Sequence, residues 1–258
     1  MAPNGSIQGL LPLALIYITR SNSCQALIRP NFTKAQVADL ETFESHVQTA
    51  ISKIPRDGAT FDLQDLFFKL TLDSATEFLF GESVHSLLSS EDSEAERFGK
   101  AFDLAQSRLG RRSRLGRLNL LLKDKEFDDA CRVVHTFVNR IVRQALERKV
   151  PEDAEKSINS DGREERYTFL SELLRSTRDP KQLRDELLSI LLAGRDTTAS
   201  LLSNTFHVLA RRPDIWTKLK AEVDELKGEK PGYEALRNMK YIKYILNECK
   251  CFLPSIVH

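Results

Sequence analysis

Ala193-Gly194-Arg195-Asp196-Thr197-Thr198 interrupts a run of apolar residues, with Leu187, Leu188, Ile190, Leu191 and Leu192 before it and Leu201, Leu202, Phe206, Val208 and Leu209 after it. The flanks predict one long helix, apolar on most sides and therefore buried through the body of a domain. Asp179 followed by Pro180 marks its start, because the carboxylate is an N-cap acceptor and a proline loses no hydrogen bond at the first helical position. Arg211 and Arg212 suit its carbonyl end, and Pro213 stops or restarts the chain. From 180 to 212 such a helix is about 50 Å long at about 1.5 Å per residue.

The polar run at its midpoint is costly. Gly loses about 1 kcal/mol against Ala in a helix interior, and a Thr hydroxyl turned back onto the preceding carbonyl bends a helix. Together they predict a notch lined by a hydroxyl and a carboxylate. Spacing alone leaves two readings open: a notch that serves a ligand, or a core helix with Asp196 paired to a neighbour and both threonines bonded locally.

The remaining pattern is helical almost throughout. Apolar stripes or helix-forming composition predict helices over 33–51, 63–80, 93–107, 124–149, 168–176, 213–227 and 233–251, and no clear strand alternation occurs. The fold class is mainly α. Residues 151–166 are charged and lack an apolar stripe, which predicts a mobile surface loop.

Composition fits a folded domain. At 258 residues, 41% hydrophobic and 29% charged, the chain is long enough to bury a large core. A net charge of +1 gives no nucleic-acid footprint, and four unpatterned cysteines form no disulfide framework. The apolar run 7–18, broken by Gly9 and Pro12, falls short of the roughly 20 residues of a spanning helix and has no basic segment before it. It reads as a non-native or disordered tail, and no membrane anchor is expected in this chain.

Arg108, Arg111, Arg112, Arg114 and Arg117 form the densest basic cluster. A solvated loop is the default for such a run, and contact with anionic lipid is the other reading. His85, His135 and His207 approach no metal-ligand spacing, and no Ser-His-Asp set, phosphate-cradling loop or zinc motif occurs.

Residues 193–198 resemble the oxygen-binding motif of the haem-thiolate monooxygenases, the cytochrome P-450 family, in its long central helix. The likeness continues in HVLARRPDIWTKLKAE (207–222), similar to the helix that follows, and in 241–248, similar to the start of the next one. Upstream, IRPNFTKAQVADL (28–40) and DSATEFLFGESV (73–84) look closest to the fungal branch that hydroxylates alkanes and fatty acids. The resemblance divides the chain into an unmatched tail (1–23), a partial family domain (24–254) and an unmatched end (255–258). It implies the central helical part of that fold, with the oxygen-binding helix and without the haem-ligand loop and most of the β-sheet.

The resemblance also implies roles. Ala193 and Gly194 would let the helix backbone approach a haem, Thr197 would hydrogen-bond bound dioxygen or its partner water, and Asp196 would feed protons toward it. The cofactor would be haem and the substrate a hydrophobic small molecule. The electron donor would be NADPH-cytochrome reductase, at the cytosolic face of the endoplasmic reticulum membrane.

The sequence departs from the family in three places. None of Cys24, Cys131, Cys249 and Cys251 sits in the glycine-rich loop that carries the axial thiolate, so none is assigned as the iron ligand. The family's Glu and Arg, three apart on one helix, become Glu248 and Cys251, and Lys250 is offset to another side of the helix. The Trp and Arg that bind a haem propionate become Ser21 and Gln25, of which Gln25 retains a hydrogen-bond donor without charge. The damage lies at the edges, as in a cut or misjoined reading frame. The chain as written is therefore expected to be inactive, and an inert helical remnant that binds no haem stands as the alternative to a monooxygenase.

Overall fold

The architecture is that of a computed structural model, which describes residues 40–90, 93–114, 123–147 and 168–252. In chain order the helices are α1 (Leu40–Ser52), α2 (Leu63–Phe80), α3 (Glu94–Arg114), α4 (Lys125–Glu147), α5 (Phe169–Ser176), α6 (Pro180–Arg211), α7 (Pro213–Asp224), α8 (Tyr233–Asn238) and α9 (Lys240–Phe252). No strand occurs among the described residues. The expected tail, the loop 151–166 and Gln25 lie outside them.

Local chemistry sets most boundaries. Asp179 accepts from Lys181 N at 3.0 Å and Pro180 follows at the first turn of α6. Asp62 caps α2 through Gln64 N and Asp65 N. Thr168 opens α5 with a reciprocal capping box to Ser171, which satisfies backbone donors that have no partner inside the helix. The chain leaves α2 through Gly81 at φ 79°, where a Cβ would lie 2.7 Å from Thr168 Cγ2. Both the left-handed backbone and the contact with the start of α5 require glycine there.

The core forms where α6 passes through the bundle. Leu183, Leu187, Leu188 and Leu191 are almost fully buried, and they pack with Leu72 and Leu79 of α2, Phe98 and Phe102 of α3, Val134 and Val138 of α4, and Phe169 and Leu173 of α5. Phe98 and Phe137 lie with ring centroids 4.3 Å apart and tie α3 to α4. A smaller cluster of Leu209, Ile245 and Cys249, flanked by Ile215 and Tyr241, joins the end of α6 to α7 and α9. Asp73 on α2 is buried; its carboxylate accepts from Ser86 N, Ser86 Oγ and Leu87 N at 2.6, 2.7 and 3.0 Å. The stretch 73–84 thus has a packing role, holding the loop after α2 against that helix.

Three expectations change. The segment 233–251 is two helices, because Met239 is extended (φ −66°, ψ 107°) and buried, and the Glu222 carboxylate of α7 accepts from Tyr241 N and Ile242 N at 2.8 and 3.0 Å. A capping carboxylate from another helix starts α9 there. The helix expected to reach 227 ends at Asp224, followed by a turn with Lys227 at φ 52° and Gly228 at φ 80°. The helix expected to stop at 107 continues to Arg114, so Arg108 to Arg112 are helical and not a loop. Arg108 pairs with Asp124 (3.1 Å) and Glu126 (2.7 Å), and Arg112 is buried over the Phe127 ring at 4.5 Å. Arginine is a good helix former, and acidic residues at the start of α4 supply its partners.

Candidate functional site

The midpoint of α6 has two unlike faces. Leu191, Arg195 and Ala199, spaced by four, point inward and are at most 2% exposed. Gly194, Thr197 and Thr198 are exposed, with Ala193 half-buried beside them. A Cβ built on Gly194 would meet no atom within 4 Å. The helix therefore carries the cost of a central glycine with nothing in the described chain that requires it. The expected local bond is present, since the Thr197 hydroxyl donates to Ala193 O at 2.6 Å. The helix continues without a break through this turn.

Asp196 sits at the border of the two faces and is drawn toward α3. Its Oδ1 accepts from Arg195 at 3.2 Å, and the Gln106 side chain of α3 is a polar neighbour that favours its ionised form. Burial pushes its pKa above the ordinary carboxylate range, with the Asp103 charge adding to the rise, while Arg195 and Gln106 oppose it. The structure thus gives Asp196 and Thr197 separate partners. Thr197 Oγ1 is turned to its own helix, and the carboxyl is turned to Arg195 and Gln106.

Arg195 is the residue for which the sequence reading found no role. Its guanidinium donates to Asp103 of α3 as well as to Asp196, and it lies 5.0 Å from the Phe68 ring of α2 and 5.3 Å from the Phe102 ring of α3. Its spacing from Leu191 and Ala199 was the available signal that it faces inward. Beside this network, Phe102, Leu109, Val134, Leu188 and Leu192 line an apolar cleft between α3, α4 and α6, with Gln106 as its polar member.

Among the described cysteines, Cys131 packs with Ala105, Leu109 and Phe127, where burial pushes its thiol up to about 12. Cys249 is buried against Leu209 and Ile245. Iron ligation requires the thiolate, which burial in apolar surroundings disfavours. Glu248 is exposed on α9. No group of three His, Cys, Asp or Glu residues that could hold a metal ion occurs among the described residues, and none of their helices is long and apolar enough to cross a membrane.

A profile of the family described as "Cytochrome P450" matches residues 19–250. Cytochrome P450 52A12 of Debaryomyces hansenii is 43% identical over 249 residues, covering 90% of this chain and 47% of that protein. The cytochrome P450 monooxygenase himC of Aspergillus japonicus is 43% identical over 235 residues, covering 90% of this chain and 42% of that protein. The chain thus spans about half the length of the curated relatives it matches. A crystal structure of a cytochrome P450DA mutant heme domain superposes with a TM-score of 0.68 at 21% identity, over 88% of this chain and 48% of that one. This last likeness concerns the fold.

Proposed function

Because the chain belongs to the cytochrome P450 family, we propose that the outward face of α6 at Ala193, Gly194 and Thr197 is the distal wall of a haem site in a monooxygenase that hydroxylates a hydrophobic chain. The observation that carries this reading is the open approach at Gly194, where a glycine that packing does not require leaves the helix backbone bare on its exposed side. When bound, haem supplies the activation of dioxygen and the oxidation of the substrate C–H bond.

The chain's own part is positioning and proton handling. Gly194 and Ala193 let a flat macrocycle lie against the helix. Thr197 Oγ1 stands on the same face and exchanges its bond to Ala193 O for one directed outward by a rotation about χ1. Asp196, held in its proton-carrying form to higher pH than an ordinary carboxyl, delivers a proton from its Oδ atoms toward Thr197 by way of water, as general acid catalysis requires. The likeness of 28–40 and 73–84 to the fungal branch that hydroxylates alkanes and fatty acids supports that substrate class. Electrons would come from NADPH-cytochrome reductase at the endoplasmic reticulum membrane. Gln25 would contribute a hydrogen bond to a propionate.

The test is spectroscopic. The chain is expressed with haem supplied, reduced and exposed to carbon monoxide, alone and as the Gly194→Leu variant. The expected result is a Soret band of bound haem that weakens in the variant, without the red shift of thiolate ligation, because no cysteine of this sequence is assigned as the iron ligand. A chain that takes up no haem would support the inert helical remnant instead.

A further inference from the structure

We propose that Arg195 and Asp103 form a positioning latch for the proton-carrying residue Asp196, in which α3 holds the Arg195 guanidinium partly away from the Asp196 carboxyl. The inference deepens the proposed function, since it rests on Asp196 being the group that moves protons at this site.

The geometry gives Arg195 two carboxylates to choose between. Its guanidinium is enclosed by the Phe68 and Phe102 rings and is almost wholly buried, so it cannot swing out to water. From that fixed place its Nη1 donates to Asp103 Oδ1 and, at a longer 3.2 Å, to Asp196 Oδ1. One donor atom thus serves both, and the closer partner is the one on α3. The side chain of Asp103 is 56% exposed and that of Asp196 is 19% exposed. The closer bond goes to Asp103, so Asp196 is left with the longer bond to the shared donor, while hydration of Asp103 screens its pull and keeps Arg195 within reach of both. An arginine bonded only to Asp196 would fix it as a carboxylate and stop it from carrying a proton.

The same stretch of α3 reaches Asp196 a second time. Gln106, one turn on from Asp103, is a polar neighbour that favours the ionised form of Asp196, and it also lines the apolar cleft. The groups facing Asp196 are therefore Arg195 on its own helix and Asp103 and Gln106 on α3, with the uncharged Phe68 ring on the α2 side of the guanidinium. The position of α3 against α6 sets how the cation is divided, and the helix that sets it also forms a wall of the cleft.

The experiment titrates Asp196 directly. Protein labelled with 13C at aspartate carboxyls is followed by NMR across pH, and the Asp196 resonance is assigned by its loss in Asp196→Asn. Asp103→Asn removes the competing carboxylate, so Asp196 should titrate at lower pH than in the parent, whereas Asp103→Glu should restore the parental position. Arg195→Met should shift it the opposite way, to higher pH. A merely structural pair would loosen the site alike in both variants and move the resonance in one direction. An Asp196 titration that is unmoved or raised in Asp103→Asn, or a loss of its resonance from the folded spectrum in both variants, overturns the latch. The measurement needs no haem, so its failure is separable from a failure of the chain to bind one.

Discussion

At the residue scale, Gly194 separates stability from function. A methyl group added there meets nothing, so Gly194→Ala should stabilise α6 by up to about 1 kcal/mol through helix propensity alone. Urea unfolding followed by circular dichroism reads this as a raised midpoint. If the outward face receives a haem, the same variant should lose haem affinity while it gains stability, and a titration of the Soret band checks the second half. Gly81 predicts the reverse. Gly81→Ala combines a positive φ with a contact against Thr168, so it should destabilise by about 1 kcal/mol or more, visible as a lowered midpoint. Two glycines in one chain thus answer to different causes, one to backbone strain and contact within the fold and the other to space outside it.

At the element scale, α6 and α9 depend on other helices in different ways. Leu191 is wholly buried where α6 crosses the bundle, and Leu191→Ala should cost about 2–5 kcal/mol through lost transfer energy and the cavity left behind. The variant should remain helical by circular dichroism with a lower unfolding midpoint. The start of α9 is capped by Glu222 of α7, which accepts two backbone donors. Hydrogen bonding to those amides lowers the Glu222 pKa against the opposing effect of burial. Glu222→Ala should therefore cost about 0.5–2 kcal/mol, in the range of other lost caps. Hydrogen exchange should show Tyr241 and Ile242 as the amides whose protection falls.

At the scale of the whole molecule, pH reports how the helices press on one another. His135 of α4 is pushed down to about 4, first by burial and then by the charge of Arg184 on α6, against a weaker opposing effect of Asp185. Its Nε2 has no hydrogen-bond partner among the described residues. The unfolded chain titrates this group near 6.5, so between about 6.5 and about 4 the unfolded state binds more protons and stability falls as pH falls. Asp196 acts with the opposite sign: its raised pKa means the folded state holds the proton longer, so its contribution weakens as pH rises above the ordinary carboxylate range. Urea midpoints measured from about pH 7 down to about pH 4.5 should drop in the parent. The drop should flatten in His135→Leu and steepen in Asp196→Asn.

What the sequence by itself determined is what short-range chemistry controls. The Asp179-Pro180 start, the long apolar rod to Arg211 and the glycine and hydroxyls at its centre each act within a turn of their own position, so they are legible without a partner. The family followed from the resemblance of 193–198, 207–222 and 73–84 to its motifs and not from spacing, and the profile match over 19–250 agrees with it. Only the tertiary structure decided which way the polar run faces. Arg195 has the composition of a solvent residue, yet the Phe68 and Phe102 rings and the Asp103 carboxylate enclose it, and those partners lie on helices distant in sequence. The break at Met239 and the pairing of Arg108 with Asp124 and Glu126 were hidden for the same reason. Propensity is additive along a chain, whereas capping by a remote carboxylate and burial of a charge exist only once the helices have packed.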